Sequence, residues 1–295
     1  MKILLFGSNG QVGWELQRSL APLGQLVSLD RKGHSGLSGN LSRPDEVAAT
    51  VRSFAPDVVV NAAAYTQVDK AESEPEQART INSQAVDSIA RETRNIGAWL
   101  VQYSTDYVFD GTGNKAWQEQ DEPRPINVYG ETKLEGEEAI RQSGCNHLIF
   151  RTCWVYAARG HNFIHTMLKL AREKDPMKVI NDQTGAPTGA ELIADVTAHA
   201  IKQGNSLSGT YHLSAAGETT WWDYARLVID TAAKAGVELK VYPDDIAAVP
   251  TEEFPTAAAR PRNSRMDISK LQNTFNLTLP PWEHGVLRTV REIIS

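Results

Sequence analysis

The stretch "KILLFGSNGQVGWELQRSL", residues 2–20, decides the fold. Its apolar run, Ile3 to Phe6, has the composition of a strand buried on both faces, and helical spacing begins at the following glutamine. Between the two lies a GxxGxxG pattern formed by Gly7, Gly10 and Gly13. Glycine lets the backbone approach a pyrophosphate, and the free N–H groups of a helix N-terminus bind that anion. The stretch predicts a phosphate-binding turn, although the same glycines could merely pack the helix on the strand.

The rest of the first half repeats this alternation of apolar runs and helical stretches. The further runs are "LVSLD", "DVVVNAAA", "WLVQYST" and "HLIFRT". A βαβ alternation of this kind implies a parallel sheet with helices on both faces. The sequence therefore predicts an α/β, doubly wound Rossmann fold.

The second half has a different rhythm, in which helical stretches are joined by proline-containing loops. We expect a dinucleotide-binding domain over residues 1–150 and a smaller, mainly substrate-binding domain over residues 151–295. The run "GTYHLS" is typical of a strand, so some elements of the second half are expected to return to the main sheet.

Composition excludes several classes of protein. The chain has 295 residues, a net charge of -6 and a pI of about 5.7, which argues against a nucleic-acid partner bound through a basic face. Its two cysteines lack the spacing of a disulfide framework or a zinc site. No run resembles a secretory signal or a membrane span, so we expect a cytoplasmic protein without a membrane partner.

Candidate cofactor-binding residues follow the ends of the early strands, where open α/β sheets bind their ligands. Asp30 ends the second run, where a carboxylate can accept hydrogen bonds from the adenosine ribose of NAD; Arg31 could instead hold the 2′-phosphate of NADP. The choice between NADH and NADPH stays open at this point. The small side chains of Ala62, Ala63 and Ala64 would let a cofactor pass close to the backbone, or would serve tight helix packing.

The segment "NVYGETKLEGE", residues 127–137, places Tyr129 and Lys133 four residues apart on one helical face. The pair could be an ordinary solvated surface, with Lys133 paired to Glu137 one turn later. It could also be a proton donor, because a nearby ammonium lowers the pKa of a phenol, which is about 10 when unperturbed. The other motifs of the chain favour the proton donor.

Four motifs in this order, GxxGxxG, "NAAA", "YSTDYVFDG" and "YGETK", resemble the extended short-chain dehydrogenases. The resemblance implies catalytic roles for Thr105, Tyr129 and Lys133. Thr105 would hold a ketone oxygen toward the Tyr129 hydroxyl, and Lys133 would also bind the nicotinamide ribose. The positions implied to contact NADH or NADPH are Gly7, Gly10, Gln11, Val12, Gly13, Asp30, Arg31, Gly39, Asn40, Ala62, Ala63, Ala64, Tyr103, Tyr129 and Lys133. At one of them, Asn40, many relatives have aspartate.

Longer motifs narrow the resemblance to one branch of these enzymes. "STDYVFDG", "RTCWVY", "NDQTGAPT" and "RPRNSR" look like those of the dTDP-4-dehydrorhamnose reductases, and this likeness covers essentially the whole chain. It implies reduction of the C4 ketone of a dTDP-sugar, with Thr105, Asp106 and Trp154 near the sugar. Arg260 would then bind the substrate pyrophosphate, for which a planar, permanently charged guanidinium is suited.

The same resemblance implies a magnesium-linked homodimer with glutamates from both subunits. The matching positions are Glu15, Glu191 and Glu292. Magnesium does prefer a few carboxylates together with water, but nothing in the spacing of these residues would reveal such a site.

Two alternatives to a reductase stay open. A nucleotide-sugar 4-epimerase uses the same three catalytic residues and keeps its cofactor bound. A non-catalytic regulatory subunit, such as that of methionine adenosyltransferase, resembles these reductases but has no need of an intact catalytic set. A 4,6-dehydratase is disfavoured, because Tyr107 stands where those enzymes carry the glutamate that eliminates water.

Overall fold

A six-stranded parallel sheet forms the centre of the structure, a computed structural model that describes residues 1–173 and 176–295. The strands are β1 (Lys2–Phe6), β2 (Gln25–Leu29), β3 (Val58–Asn61), β4 (Trp99–Thr105), β5 (Asn146–Thr152), β6 (Val155–Tyr156), β7 (Met177–Ile180), β8 (Thr184–Gly185), β9 (Thr188–Gly189), β10 (Gly209–His212), β11 (Thr219–Thr220) and β12 (Ile246–Val249). The order in the sheet is β10-β5-β4-β3-β1-β2, and every pairing is parallel. The predicted Rossmann fold is confirmed.

Helices cover both faces of this sheet and build most of the second half. They are α1 (Gln11–Leu20), α2 (Pro44–Phe54), α3 (Val68–Ala71), α4 (Pro75–Arg79), α5 (Ala85–Asn95), α6 (Val128–Ser143), α7 (Phe163–Glu173), α8 (Ala190–Gln203), α9 (Trp221–Lys234), α10 (Ser269–Phe275) and α11 (Trp282–Ile294). The stretch 75–97 has helical spacing in the sequence, and in the structure a π-helical segment, Thr80–Gln84, lies between α4 and α5.

Successive side chains of the central strands pack into two different hydrophobic cores. In β1, Ile3 and Leu5 pack with Leu16 of α1, whereas Leu4 and Phe6 pack with side chains of α2 and α5. β3 and β4 are buried along their whole length, which explains their continuous apolar sequences. Because β1, β3 and β4 pair in parallel, their carboxyl ends share one edge of the sheet, where open α/β sheets bind their ligands.

The second half contributes to two places. β10 pairs with β5, and α8 packs against α1 beside the central sheet. A third core lies among α7, α9 and α11, next to the short parallel pair of β7 and β12. A division of the chain at residue 150 stays a prediction. No described helix is both long enough and apolar enough to cross a membrane.

Candidate active site

Backbone contacts explain the three glycines of the first turn. Gly7 has a left-handed φ of +85°, and a Cβ there would lie 2.6 Å from the amide nitrogen of Ala63. A Cβ on Gly13 would lie 2.0 Å from the Gly7 carbonyl oxygen. Gly10 precedes α1, and no side chain caps the first N–H groups of that helix. The turn therefore leaves room and free donors for a pyrophosphate, as a dinucleotide requires.

The neighbouring residues that the sequence predicts to contact the cofactor lie around this turn. Val12 packs against the core beneath α1, and the side-chain oxygen of Gln11 accepts a 2.8 Å hydrogen bond from Asn162. Ala62, Ala63 and Ala64 follow β3 directly and are half-buried. The loop after β3 thus lies directly under the Gly7 turn.

Asp30 follows β2 and is held by its own turn. One carboxylate oxygen accepts the Lys32 amide at 2.8 Å, and the other accepts the side-chain amide of Asn9 at 2.8 Å. Gly39–Asn40 approaches it closely, because a Cβ on the glycine would lie 2.1 Å from the Asp30 carbonyl oxygen. Arg31 is exposed. This edge presents both a carboxylate and a guanidinium, and the geometry alone fits either form of the cofactor.

The end of β4 and the first turn of α6 bring Thr105 and Tyr129 together. Asn127 caps α6 by accepting the Gly130 amide at 2.8 Å, which fixes where the helix begins. The Thr105 hydroxyl lies close enough to Tyr129 to act on the pKa of its phenol. The Tyr129 ring meets the edge of Tyr107, with ring centres 5.8 Å apart and an interplanar angle of 79°. Two of the three predicted catalytic side chains therefore lie near each other.

Lys133 lies one turn further along α6 and is only 5% exposed. Its Nζ donates a 2.5 Å hydrogen bond to the carbonyl oxygen of Tyr103. The Tyr103 side chain is instead buried against the Thr197 hydroxyl at 2.7 Å, so Tyr103 reaches this site through its backbone. Glu137 is also buried and pairs with Arg151. The alternative of a solvated Lys133–Glu137 surface pair is wrong.

The pKa values of Tyr129 and Lys133 differ from what the sequence predicts. Burial raises the pKa of Tyr129 to about 12, and the nearby Thr105 hydroxyl only partly opposes the rise. Burial lowers the pKa of Lys133 to about 8, with Glu137 opposing the change. The expectation that Lys133 lowers the pKa of Tyr129 is not met here, because its ammonium is directed to the Tyr103 carbonyl. Tyr129 consequently holds its proton at neutral pH, as a proton donor must.

Asp106 is the buried carboxylate of the site. It accepts a 3.0 Å hydrogen bond from Thr105, while its second oxygen has no partner among the described residues. Burial raises the pKa of Asp106 to about 6, opposed by the Ser264 and Thr105 hydroxyls.

A cavity of about 600 Å³ opens beside the catalytic residues. Tyr107, which touches Tyr129, is part of its wall, and so is Arg260. The remaining wall is mostly apolar and includes Phe163, Met167, Trp221 and Phe254. A volume of this order suits a ligand larger than a monosaccharide, and the wall offers both apolar surface and a cation.

Trp154 stacks on Trp221 of the cavity wall, with ring centres 3.7 Å apart and an interplanar angle of 16°. Its backbone has a left-handed φ of +48°, which is uncommon for a bulky residue. Gly185 makes room for the ring, since a Cβ there would lie 2.8 Å from it. Trp154, which is predicted to lie near the sugar, is thus held beside the cavity by its stacking on Trp221.

Arg260 donates a 2.7 Å hydrogen bond to Asp69 of α3. The other guanidinium nitrogen, Nη1, is buried and has no partner among the described residues. Such a group is costly to bury unless a ligand or water satisfies it. Its position in the cavity wall makes it available to an anion.

The three glutamates predicted to bind magnesium lie in one neighbourhood, because Glu15 and Glu292 both help to raise the pKa of Glu191, after burial. However, Arg288 forms an ion pair with Glu191, with its Nη2 2.6 Å from a carboxylate oxygen. Among the described residues no three metal-binding side chains are arranged to hold an ion. The residues of one chain therefore do not fit a magnesium site.

Sequence reasoning missed several residues that shape the site. Tyr107 was noted only as a departure from dehydratases, and Asp69 and Trp221 were not singled out. A partial signal existed for Trp221, because "TTWWDYARL" places a threonine cap before an aromatic helix start. Nothing in the spacing connects Asp69 with Arg260, which is 191 positions away.

Comparison with known proteins adds independent evidence. Residues 1–294 match the family model described as the RmlD substrate binding domain. The chain is 56% identical to the dTDP-4-dehydrorhamnose reductase of Salmonella typhimurium, over 100% of this chain and 99% of that protein. It is 54% identical to the reductase of the same name from Escherichia coli K12, with the same coverage. The crystal structure of dTDP-4-dehydrorhamnose reductase from Bacillus anthracis in complex with NADP superposes with a TM-score of 0.88, at 34% identity and 99% coverage of both chains.

Proposed function

The chain belongs to the RmlD substrate binding domain family, and on this basis we propose that it reduces the C4 ketone of dTDP-4-dehydro-L-rhamnose to dTDP-L-rhamnose with NADPH or NADH. The observation that carries the proposal is the Thr105 hydroxyl placed near Tyr129, beside a cavity of nucleotide-sugar size. This arrangement belongs to an oxidoreductase that acts on a nucleotide sugar.

The Gly7 turn and the N-terminus of α1 would hold the cofactor pyrophosphate, and Asp30 or Arg31 the adenosine ribose. When bound, the nicotinamide supplies the hydride that is added to C4. Reduction of a ketone also requires a proton on oxygen, and the residues of this chain provide it.

In the proposed mechanism Tyr129 donates its phenolic proton to the C4 oxygen. Thr105 holds that oxygen by a hydrogen bond and orients it toward Tyr129. Lys133, charged below a pH of about 8, would bind the nicotinamide ribose one helical turn from Tyr129. In the free chain the Thr105 hydroxyl donates to Asp106, and on substrate binding it would donate to the C4 oxygen instead.

Substrate binding follows from the composition of the cavity wall. Arg260, held by Asp69, would pair its free Nη1 with the pyrophosphate of the dTDP group. Trp154 would pack against the sugar from its place on Trp221. The apolar wall would enclose the nucleoside.

A homodimer and a cytoplasmic location complete the proposal. Magnesium could join it only if a second chain displaced Arg288 or added carboxylates near Glu191, because one chain does not form the site. No step of the mechanism depends on this metal.

The test is consumption of reduced nicotinamide, followed by absorbance, on mixing purified protein with dTDP-4-dehydro-L-rhamnose and either NADPH or NADH. We expect consumption that depends on the substrate and that ranks the two cofactors. No consumption with either cofactor, together with tightly bound NAD in the purified protein, would indicate the 4-epimerase. No turnover and no bound cofactor, with recovery of a larger enzyme in complex, would indicate the regulatory subunit.

A further inference from the structure

Glu137 and Arg151 form a buried ion pair directly behind the catalytic lysine. Glu137 is 1% exposed and Arg151 is 2% exposed. The carboxylate accepts two hydrogen bonds from Arg151, from Nε at 2.9 Å and from Nη2 at 2.7 Å. It also accepts a 3.2 Å hydrogen bond from Arg141 at the surface. The mechanism above assigns no role to this pair.

The position of the pair follows from the geometry of α6. Tyr129, Lys133 and Glu137 succeed one another at intervals of four residues, so they lie along one face of the helix. Arg151 belongs to β5 and lies opposite Ser104 of β4, the residue before Thr105. The carboxylate is therefore fixed from β5, the strand that pairs with β4 beside the active site.

A buried ion pair is not needed for stability, since apolar side chains of similar size often serve equally well. Burial opposes ionisation of Glu137, yet the contact with Arg151 keeps the pKa of this carboxyl below its ordinary value. The chain thus maintains a full negative charge in its interior, one turn from a buried ammonium. This arrangement calls for a reason beyond packing.

We propose that Glu137, held by Arg151, is a positioning residue that keeps the Lys133 ammonium charged during the reaction, from one turn further along the same face of α6. The inference rests on the proposed function, because it assumes that Lys133 acts in its protonated form. Glu137 itself touches neither substrate nor cofactor in this account; it acts through Lys133.

The other charges near α6 do not replace Glu137. The titratable or charged side chains on the elements packed against this helix, together with the arginine that pairs with Glu137, are Asp69, Lys70, Glu76, Arg79, Asp87, Arg91, Glu92, Arg94, Tyr103, Asp106, Tyr107 and Arg151. Burial is the main cause that lowers the pKa of Lys133, and among these charges and Glu137 it is Glu137 that opposes the change. Without this carboxylate, Lys133 should lose its proton at a lower pH.

The experiment measures the pH dependence of kcat/KM and of NADPH affinity in three variants of the full chain. Glu137→Gln removes the charge and keeps the size of the side chain. Glu137→Gln/Arg151→Met also removes the guanidinium, so that no unpaired charge is left buried and folding is preserved. The control is Glu92→Gln, which breaks another two-point arginine pair, with Arg52, on the surface of α5.

We expect the fall of activity and of NADPH affinity on the basic side to move to lower pH by on the order of one unit in both Glu137 variants. The control should keep the wild-type profile. A uniform loss of activity without a shift of the pH profile would overturn the proposal, because packing alone would then explain the pair of Glu137 and Arg151. Recovery of the wild-type profile in the double variant would also overturn it.

Failure of the proposed function would look different. The wild-type chain would then show no turnover of the dTDP-sugar at any pH. The profile of NADPH affinity would still report whether Lys133 depends on Glu137.

Discussion

The cofactor side of the molecule is built from backbone, whereas the substrate side is built from side chains. Around Gly7 and Gly13 the main chain of three segments meets with no space for a Cβ. Around the cavity, by contrast, Trp154 stacks on Trp221 and Arg260 donates a hydrogen bond to Asp69. A backbone site tolerates no added atom, while a side-chain site can change one wall residue and keep its shape. The first should be common to many enzymes and the second should set the substrate.

The largest effect that would test this difference is expected from Gly13→Ala. The new Cβ would lie 2.0 Å from the Gly7 carbonyl oxygen, and backbone cannot move aside as a flexible side chain does. We expect a loss of on the order of 3 kcal/mol in the free energy of unfolding, measured by urea denaturation.

Gly10→Ala is the matched control for that variant, because its Cβ would meet the same oxygen only at 3.4 Å. Its free energy of unfolding should stay close to that of the wild type. Equal destabilisation by the two substitutions would show that the turn is not limited by backbone contact.

A smaller effect is expected at Asp106, which lies where the two sides meet. Its pKa is raised to about 6 by burial, so the folded chain favours the protonated form. Below its unfolded pKa the carboxyl is neutral in both states, and its burial does not reduce the free energy of unfolding. That part of the free energy of unfolding is lost as the pH rises through 6. Asp106→Asn should therefore gain about 2 kcal/mol relative to the wild type between pH 4 and pH 7.5.

The measurement is the free energy of unfolding of both proteins at the two pH values. Asp230→Asn, at an exposed position of α9, serves as the control and should show no such gain. A relative stability of Asp106→Asn that does not change with pH would mean that Asp106 is not held against ionisation.

The smallest effect is expected at Arg260, on the side-chain-built side. Arg260→Met removes the cation and keeps the length of the side chain. Loss of one charge-assisted contact should raise KM for the dTDP-sugar by on the order of tenfold, with kcat and NADPH binding little changed.

Arg262→Met is the control, since Arg262 lies two residues away, is 55% exposed and pairs with Glu252 at the surface. Its KM should match the wild type. A fall in kcat rather than a rise in KM for Arg260→Met would contradict a role in binding alone.

Sequence reasoning succeeded where local chemistry determines structure. The apolar runs of β1 to β5 and the glycines after β1 follow from short-range rules, and the sheet confirmed them. Tyr129 and Lys133 could be placed on one face because helical spacing is local. The charge state of the pair could not be derived, because it depends on burial and on Tyr103 of β4, 30 positions from Lys133.

The substrate side was harder to foresee for the same physical reason. The contact of Arg260 with Asp69 and the stacking of Trp154 on Trp221 join residues far apart in the chain. No spacing rule connects such pairs, and only the fold brings them together. The interruption of the helix at Thr80–Gln84 likewise has no sequence signal that we can identify.

The central claim is that Tyr129 gives the proton in ketone reduction, and one measurement tests it most directly. Purified wild-type protein and Tyr129→Phe would be mixed with NADPH and dTDP-4-dehydro-L-rhamnose, and oxidation of NADPH would be followed in a single turnover. We predict that the variant binds NADPH as the wild type does but oxidises it at least about 10²-fold more slowly. Oxidation at the wild-type rate by Tyr129→Phe would contradict the account.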